Sequence, residues 1–436
     1  MVTAAQEKAL HDIHALIREY YRAAPAAHFI PGESVVPLMQ PSYGSEEVGQ
    51  AVDSLLAAQI TLNQSEGNKV QRFERSWSDY VGVRHGIMVN SGSSANLLAL
   101  WVLSNPTTAN RINPGDEVIT PAVTWHTTIS PIISVGAVPV LVDVNLEDFT
   151  ISTQEIEAQI TPRTRALMPV HLLGNPCDMA ALVEIAARHD LYLVEDACEA
   201  HGAHVDGRRC GAFGDLATFS FFFSHHITTM EGGMLMTSND GLADLARIMR
   251  SQGVIRNTER RAELVQMYKR SPDYAELDDM YLFANIGFNL RPTELNGGFG
   301  LEQLKKLDGF LHCRRENGEY WMGRLRPYAD VFHLPCQAAS GRSWFAFPVV
   351  IKANAPFSRA TFREFLTACR IETRPIMAGN VAAQPATRHF AYRCGDLPNA
   401  QLIHTNGLFW GNHQGIGAAH REYVADCIDR FMRPYS

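Results

Sequence analysis

The sequence predicts an α/β fold: a large domain built on a mostly parallel sheet covered by helices, followed by a smaller C-terminal α/β domain. From residue 86 to residue 223, short apolar segments typical of buried strands alternate with longer amphipathic segments typical of helices. Beyond a long helical pattern at residues 295–311, a second and shorter group of strand and helix patterns follows. Since ligands bind such sheets at the carboxyl ends of the strands, polar residues that follow strands are the candidates for chemistry.

Length and composition set the domain organisation. A chain of 436 residues, 46% hydrophobic and 19% charged, is long enough for two domains that each bury a substantial core. We divide it into an N-terminal helix and arm (residues 1–44), a large domain (45–314) and a small C-terminal domain (315–436).

The N-terminal part combines a helix with an irregular arm. Residues 4–22 carry apolar side chains at helical spacing, whereas Pro25, Pro31 and Pro37 favour an extended arm over residues 24–44. The arm is either a surface appendage or a segment that clasps a second subunit, and both interpretations remain open.

The remaining elements follow from the periodicity of apolar residues. An irregular excursion, rich in Arg and Asp, is expected at residues 254–285. The predicted strands are residues 86–89, 117–121, 139–143, 166–170, 191–195, 217–223 and 344–351. The predicted helices are residues 45–59, 69–80, 95–103, 128–135, 153–159, 179–189, 295–311, 358–369 and 420–432.

Charge, hydropathy and cysteine spacing exclude several classes of protein. The net charge of −8 and the absence of a basic tract argue against nucleic acid as a partner. No apolar stretch approaches the ~20 residues needed to span a membrane, and the charged N-terminus does not fit a signal peptide, so we expect a cytoplasmic protein. None of the eight cysteines forms a CxxC pair, so neither a disulfide framework nor a metal site is expected.

Two strand ends carry residues suited to a flat, phosphorylated ligand. In the segment NSGSSAN (residues 90–96), small residues let backbone N–H groups and hydroxyls at a helix start hold a phosphate, although they also serve as ordinary helix caps. After the strand at residues 117–121, Trp125 is either a core residue or an aromatic that stacks on a flat ring.

Two further strand ends add ionisable side chains. The strand at residues 191–195 ends in Glu195 and Asp196, of which one can pair with a protonated ring nitrogen and the other can cap or solvate. The apolar segment FSFFF (residues 219–223) runs into Ser224, His225 and His226, which indicates a strand that delivers polar groups to a pocket wall. Histidine exchanges protons near neutral pH but does not form a stable imine. We expect His226 to pack or support.

These segments resemble the sugar aminotransferases of the DegT/DnrJ/EryC family, which share the pyridoxal phosphate (PLP) fold type I of aspartate aminotransferase. The resemblance includes SGSSAN, NLRP (residues 289–292) and SWF (residues 343–345), and it covers nearly the whole chain from about residue 38. In that family the position of His225 carries the lysine that forms the internal Schiff base. Histidine in its place is the signature of the PLP-dependent sugar 3-dehydratases.

The resemblance implies PLP and its pyridoxamine form (PMP) as cofactor, His225 as the catalytic base, and a homodimer with shared active sites. Asp196 is implied as the partner of the pyridine nitrogen and Trp125 as the stacking residue. Asn289 is implied to reach the neighbouring subunit's cofactor phosphate. The full set of implied cofactor ligands is Gly92, Ser93, Trp125, Asp196, Ser220, Ser224 and Asn289.

Substrate contacts are implied for three residues. Tyr281 and Arg256 lie where the dehydratases place residues near the sugar, and Arg374 is able to clamp a carboxylate or a diphosphate. Surface solvation is the competing interpretation for both arginines. Gln252 and Val254 depart from the histidine and tryptophan of a dehydratase of colitose biosynthesis, and the N-terminal arm is more similar to that of the iron–sulfur CDP-sugar 3-dehydratases. The nucleotide and the sugar therefore stay open.

The implied reaction is removal of the C3 hydroxyl from a nucleotide-linked 4-keto-6-deoxy sugar. L-Glutamate would convert PLP to PMP and leave as 2-oxoglutarate. His225 would take a proton and return it to the departing hydroxyl, since an imidazole pKa of ~6.5 allows both roles. Because no lysine recaptures the cofactor, the product would be released as ammonia and a 3-deoxy ketosugar.

Three alternatives accompany this interpretation. The alternatives are an aminotransferase that makes an amino sugar, an iron–sulfur dehydratase, and a non-catalytic dimer of the PLP fold. Cys198 matches the first cluster ligand of the iron–sulfur enzymes, but residues 251–270, where the other three would lie, contain no cysteine. That absence disfavours an iron–sulfur cluster.

Overall fold

Two sheets organise the structure, a computed structural model that describes residues 3–24, 28–62, 67–335 and 341–435. The strands are β1 (His85–Val89), β2 (Glu117–Pro121), β3 (Val138–Val142), β4 (Thr164–Leu167), β5 (Tyr192–Asp196), β6 (His204–Val205), β7 (Arg208–Arg209), β8 (Leu216–Ser220), β9 (Gly233–Thr237), β10 (Phe332–His333), β11 (Ala346–Ile351), β12 (Thr373–Arg374), β13 (Arg393–Cys394) and β14 (Gly407–Gly411).

Helices cover both sheets. They are α1 (Ala4–Ala23), α2 (Ser45–Leu56), α3 (Lys69–Val81), α4 (Gly92–Leu103), α5 (His126–Ser134), α6 (Thr153–Gln159), α7 (Met179–Arg188), α8 (Asp240–Arg250), α9 (Arg261–Lys269), α10 (Glu294–Leu325), α11 (Arg359–Ala368), α12 (Pro398–Asn406) and α13 (Ala418–Met432).

The large sheet has the strand order β1-β9-β8-β5-β4-β2-β3-β13. Its strands from β8 to β13 are parallel, and β9 runs antiparallel to both of its neighbours. The predicted α/β class with a mostly parallel sheet is thereby confirmed. The carboxyl ends of β2, β5 and β8 lie at one edge, where the polar residues 124–125, 196 and 224–225 follow them.

The small sheet is antiparallel, with the order β10-β11-β14-β12. Its core is aromatic: the ring centroids of Trp321 and Phe347 each lie within 6 Å of Trp410, at 5.7 and 4.9 Å. Burying rings of this size stabilises the fold by roughly 1.5–3 kcal/mol each.

Helix α10 joins the two cores. Leu307 and Leu311 belong to the core of the large sheet, whereas Trp321 and Leu325 belong to the core of the small sheet. The helix therefore runs through the proposed domain boundary at residues 314 and 315, and the domain division stays a prediction.

The N-terminal residues lie against their own chain. In α1, the His14 ring binds Asp53 of α2 at 2.8 Å. Further along, Phe29 stacks on His420 with ring centroids 4.0 Å apart, and Val36 pairs with Ile371 as an isolated bridge. Of the predicted arm, residues 25–27 lie outside the described part of the chain, and both interpretations of the arm stay open.

Candidate active site

A cavity of about 360 Å³ opens at the carboxyl ends of β2, β5 and β8. It brings together seven of the residues selected from the sequence, each of which lies at the end of a strand of the large sheet or in the turn or helix start that follows one. They are Gly92, Ser93, Trp125, Asp196, Ser220, Ser224 and His225.

The start of α4 forms the phosphate side of the cavity. Ser91 caps the helix by accepting a hydrogen bond from the backbone N–H of Ser94 at 3.0 Å. Gly92 touches β8 so closely that a Cβ at this position would lie 2.4 Å from the Cβ of Ser220. Ser93 donates to the hydroxyl of Thr127 at 3.1 Å. A helix start without bulky side chains, ringed by hydroxyls, suits a phosphate group.

Asp196 sits at the end of β5 in a complete hydrogen-bond network. Its Oδ2 accepts from the amide of Asn96 at 2.9 Å and from the hydroxyl of Thr128 at 2.8 Å. Its Oδ1 accepts from the backbone N–H of Cys198 at 3.2 Å. These donors hold a buried carboxylate in one position, facing the cavity, where it can pair with a cationic ring nitrogen.

Glu195, the neighbouring carboxylate, points away from the cavity and serves the fold. It is completely buried, binds the His171 ring at 3.0 Å and accepts backbone N–H groups of residues 211, 213 and 214. Alternation of side chains along β5 therefore separates the two acids, since only Asp196 lines the cavity.

Trp125 lies between two cavities. It precedes α5, is 56% exposed, and lines both the site and a neighbouring cavity of about 510 Å³. Such an exposed indole is not a core residue. Its faces are free to stack on a flat ligand ring.

His225 follows β8 through a turn in which its backbone N–H donates to the carbonyl of Phe222 at 3.0 Å. Its ring lies 5.2 Å from the ring of Phe345 and 5.9 Å from that of His201, between centroids. Nδ1 is buried and has no hydrogen-bond partner among the described residues, which leaves Nε2 as the nitrogen toward the cavity. Burial, aided by the positive charge of Arg314, lowers the pKa of His225 to about 3.

His226 is part of the core behind the site. Its ring is buried and shares a hydrogen bond with the carbonyl of Ser343 at 3.0 Å. Burial first, and Arg314 second, lower the pKa of His226 well below its ordinary value. The adjacent histidines therefore differ in position: one lines the cavity and the other packs beneath it.

Four predicted residues lie outside the cavity. Asn289 is exposed, with its Oδ1 accepting from Nε of Arg291 at 2.9 Å, and the side chain of Tyr281 is 70% exposed. Arg256 lines a separate cavity of about 220 Å³, and Arg374 lines the 510 Å³ cavity that shares Trp125 with the site. Of the four, only Arg374 therefore adjoins the site within one chain.

Sequence reasoning missed several residues of the site. Asn96 and Thr128 fix Asp196, Phe345 packs on His225, and Glu199 lines the cavity while accepting the backbone N–H of Leu173 at 2.7 Å. Burial raises the pKa of Glu199 to about 7. The spacing Asp196-x-x-Glu199 after a strand was a usable signal for the acid, whereas Phe345 is brought in by the distant small domain.

The sequence model of the DegT/DnrJ/EryC1/StrS aminotransferase family matches residues 43–429. The chain belongs to this family. The resemblance stated from the motifs is thereby confirmed.

Three relatives illustrate the range of the DegT/DnrJ/EryC1/StrS family around this chain. A dTDP-4-dehydro-2,6-dideoxy-D-glucose 3-dehydratase of Saccharopolyspora spinosa is 37% identical, covering 99% of this chain and 93% of its own length. A GDP-4-keto-6-deoxy-D-mannose 3-dehydratase of Yersinia pseudotuberculosis is 36% identical, covering 80% of this chain and 87% of its own length. A GDP-perosamine synthase of Caulobacter vibrioides is also 36% identical, covering 85% of this chain and 92% of its own length.

Solved structures support the same fold. The Escherichia coli GDP-4-keto-6-deoxy-D-mannose-3-dehydratase with bound hydrated PLP has a TM-score of 0.80 and 31% identity, covering 90% of this chain and 98% of the other. A GDP-4-keto-6-deoxymannose-3-dehydratase with a trapped PLP-glutamate geminal diamine also has a TM-score of 0.80 and 31% identity, over 90% and 99%. PLP fold type I and the similarity to this dehydratase, both expected from the sequence, are confirmed.

The cavity fits the cofactor that these findings confirm, PLP with its pyridoxamine form. The glycine contact at Gly92 leaves room for a phosphate, Asp196 offers a fixed carboxylate and Trp125 offers a flat face. No lysine is among the residues that line the cavity in the described part of the chain.

The described residues were also compared with the requirements of a metal site and of a membrane-spanning helix. No group of three or more His, Cys, Asp or Glu side chains is arranged to hold a metal ion in residues 3–24, 28–62, 67–335 and 341–435. Within the same ranges, none of the helices combines the length and apolar character that crossing a bilayer requires.

Proposed function

We propose that this protein is a PLP/PMP-dependent 3-dehydratase of a nucleotide-linked 4-keto-6-deoxyhexose. The observation that carries the proposal is His225, at the position where the resemblance expects a lysine, on the wall of a cavity in whose described lining no lysine takes part. When bound, the cofactor supplies an electron sink for a developing negative charge. Without a lysine tether, elimination at C3 is favoured over lasting transfer of nitrogen.

His225 is the proton-transfer residue of the proposal. A ring whose pKa is lowered to about 3 is uncharged near neutral pH, so its Nε2 has a lone pair ready to accept a proton. Taking up that proton gives the ring a positive charge that burial, and after it the charge of Arg314, disfavours. The imidazolium then has a strong tendency to return the proton, and the departing C3 hydroxyl is the acceptor that completes water.

Ser220, Ser224, Gly92 and Ser93 are proposed to hold the cofactor phosphate, and Asp196 to hold the protonated ring nitrogen. Apart from Ser224, which lies in the turn after β8, each contributes from a strand end or a helix start. Since such elements move little, the cofactor ring is presented to His225 in a fixed orientation. Trp125, stacking on one face, excludes water from the ring.

The 510 Å³ cavity supports a nucleotide-linked substrate. It adjoins the site through Trp125 and Met377 and is lined by Arg374, Arg359 and His404. Arginine forks suit the oxygens of a diphosphate, which gives Arg374 the clamping role expected from the sequence. Relatives named for dTDP-linked and GDP-linked sugars fit the same class of ligand. The nucleotide base and the stereochemistry of the sugar are to be identified with the panel of substrates described below.

L-Glutamate is the proposed amino donor, with 2-oxoglutarate and ammonia as co-products. A similar structure carries a trapped PLP-glutamate geminal diamine, which supports glutamate for this chain as well. The proposed site has room for both reactants in turn, because the donor leaves before the sugar enters.

A homodimer with shared active sites is proposed from the surface around residues 280–289. Tyr281, Phe283 and Ile286 expose 70%, 58% and 82% of their surface, and Asn289 lies exposed beside them. Exposed apolar side chains so close together in the sequence favour burial against a second copy. In that arrangement Asn289 reaches the second subunit's cofactor phosphate, the role predicted for it, and Tyr281 and Arg256 are proposed to lie near the sugar bound there.

The test is incubation with PLP, glutamate and a panel of GDP-, CDP- and dTDP-linked 4-keto-6-deoxyhexoses. We expect one nucleotide series to give a 3-deoxy ketosugar with stoichiometric ammonia. His225→Asn is expected to abolish 3-deoxygenation while PLP binding persists. The matched control is His312→Asn, since His312 has a side chain 71% exposed on α10. Full turnover of His225→Asn would contradict the proposal.

The second candidate is an aminotransferase, favoured by the 36% identity to a GDP-perosamine synthase. It requires another base to replace the missing lysine, and it predicts a product that retains nitrogen. Mass spectrometry of the sugar product separates the two activities: an amino sugar excludes dehydration as the end point, and a 3-deoxy ketosugar excludes transamination.

A further inference from the structure

Arg314 is a buried cation in α10 without a carboxylate partner among the described residues. Its side chain is 2% exposed, and its Nη1 donates to the backbone carbonyls of Trp344 and Phe345 at 3.2 and 2.8 Å and to that of Asn412. Nε has no hydrogen-bond partner in the described part of the chain. Burial lowers the pKa of Arg314 to about 9, so the guanidinium still carries its charge at neutral pH.

The carbonyls that Arg314 binds belong to the wall of the active site. Residues 343–345 run between α10 and the turn after β8, and the ring of Phe345 packs on both His225 and His226, with centroids 5.2 and 5.8 Å away. On the same segment, the carbonyl of Ser343 binds the ring of His226. Arg314 therefore anchors, through two consecutive carbonyls, the backbone against which His225 rests.

The charges around His225 come from several elements. His201 follows β5 and lies within 6 Å of both other histidine rings, with neither of its nitrogens hydrogen-bonded in the described part of the chain. The acids that face His225 across the cavity are Asp196, Glu199 and Glu231. Behind the ring, Arg314 is the charge that, after burial itself, lowers the pKa of His225 and also contributes to lowering that of His226.

We propose that Arg314 is a positioning residue that fixes the Phe345 wall and holds a positive charge behind His225, so that neither the place nor the charge state of the ring changes between turnovers. This inference rests on the proposed role of His225 as the base. A carboxylate in place of the backbone carbonyls would neutralise the guanidinium and remove the effect, whereas carbonyl dipoles leave the positive charge acting on the histidines. A guanidinium keeps that charge over the whole working pH range.

The first experiment is a titration of the histidine side chains in the full-length wild-type protein, followed by ¹H–¹⁵N NMR, with the His225 signal assigned by its loss in His225→Asn. We expect the His225 imidazole to remain neutral at pH 5.5, where a free histidine side chain with the ordinary pKa of ~6.5 is mostly charged. A His225 ring that titrates like free histidine would overturn the proposal without any change at Arg314.

The second experiment repeats the titration in Arg314→Met and Arg314→Lys, with Arg315→Met, exposed on the same helix, as control. Arg314→Met is expected to raise the pKa of His225 by about one unit or more, because the charge is gone. Arg314→Lys keeps the charge and is expected to leave the pKa of His225 close to that of the wild type. An unchanged pKa of His225 in Arg314→Met contradicts the proposal, and if that variant fails to fold, a pKa of His225 that rises by about one unit in Arg314→Lys contradicts it.

The titration separates this proposal from the proposed function. A protein that forms no 3-deoxy sugar from any substrate of the panel refutes the dehydratase activity, yet it leaves the effect of Arg314 on His225 measurable. Conversely, a dehydratase whose His225 titrates normally refutes the role of Arg314 alone. In the active enzyme, Arg314→Met is expected to shift the acidic limb of the kcat/KM profile to higher pH, a change that a purely structural role does not produce.

Discussion

Asp196 and His225 face the same cavity from adjacent strands, yet their surroundings are opposite in kind. Asp196 receives three hydrogen bonds, from Asn96, Thr128 and the backbone of Cys198. His225 is surrounded by rings, and its buried Nδ1 has no partner in the described part of the chain. Under the proposed function, this difference divides the work of the site: hydrogen bonds hold the charge of Asp196 in place, and an apolar wall surrounds His225, whose charge is proposed to change during turnover.

The largest expected effect tests the fixed half of this comparison. Asp196→Ala removes the carboxylate and leaves the amide of Asn96 and the hydroxyl of Thr128 without their acceptor. We expect kcat/KM to fall on the order of 1,000-fold, the scale for loss of a preorganised electrostatic group. PLP absorbance titrations and steady-state kinetics measure it. A variant with near wild-type kinetics would show that Asp196 does not hold the cofactor ring.

The phosphate side of the cavity gives the next largest effect. Gly92→Ala places a Cβ 2.4 Å from that of Ser220, and overpacking of this kind costs about 1–3 kcal/mol. We expect PLP affinity to weaken about 10- to 100-fold, measured by fluorescence titration. The matched control is Gly309→Ala, which meets nothing within 4 Å and is expected to stabilise α10 by up to ~1 kcal/mol. Equal affinities in the two variants would contradict the close contact.

The pH dependence of stability tests the other half of the comparison, the apolar surroundings of His225. Burial lowers the pKa of His225 to about 3 and of His413 to about 4, and it also holds the pKa values of His201 and His226 well below the ordinary value. Below pH ~6.5 the unfolded chain binds protons that the folded chain does not, so the free energy of unfolding falls as the pH falls. Glu199, with its pKa raised to about 7, binds one extra proton when folded and partly offsets this loss.

Each of these histidines contributes about 1.4 kcal/mol per pH unit below its unfolded pKa. Urea denaturation at pH 7 and pH 5.5 measures the sum, and His226→Gln is expected to reduce the slope by one proton. Stability that is equal at the two pH values would mean that the histidines are charged in the folded protein.

The smallest expected effect concerns Glu199, which lines the cavity together with Asp196 and His225. Glu199→Gln keeps an oxygen for the backbone N–H of Leu173 and removes only the titration near pH 7. We expect about a fivefold loss in kcat/KM, since a hydrogen bond to a neutral amide is weaker by about 1 kcal/mol than one to a carboxylate, together with a flatter pH profile between pH 6 and 8. A pH profile of kcat/KM identical to that of the wild type would show that the titration of Glu199 does not affect the reaction.

Local pattern was sufficient for much of the large domain. The strand at Glu117–Pro121 and the helix at Thr153–Gln159 have the predicted bounds, because each is short, apolar on the expected face and ended by turn residues. The motifs also brought seven predicted residues into one cavity, since each follows a strand of the same sheet edge.

Where tertiary contacts decide, the sequence was less informative. The predicted strand at residues 217–223 ends at Ser220, because the backbone then turns to bond residues 229 and 232. The elements β9, α8, α12 and β14 were not predicted, α9 lies within the expected irregular excursion, and α10 extends well beyond its predicted end.

Two features that the sequence analysis missed share one property. The sequence presents Arg314 as one more surface charge in an amphipathic helix, and Trp344 adopts a φ of 51°, so the predicted strand begins only at Ala346. Both positions depend on the contact between α10 and residues 344–345. No local pattern records that contact, and the charge behind His225 is therefore visible only in three dimensions.

The central claim is that the coenzyme is held in this cavity by contacts alone, because an imidazole replaces the tethering amine. The most direct measurement is intact mass spectrometry of the PLP-loaded resting protein after treatment with borohydride. The account predicts a polypeptide of unchanged mass, with all of the coenzyme released on denaturation. A polypeptide whose mass has increased by one reduced coenzyme would contradict it.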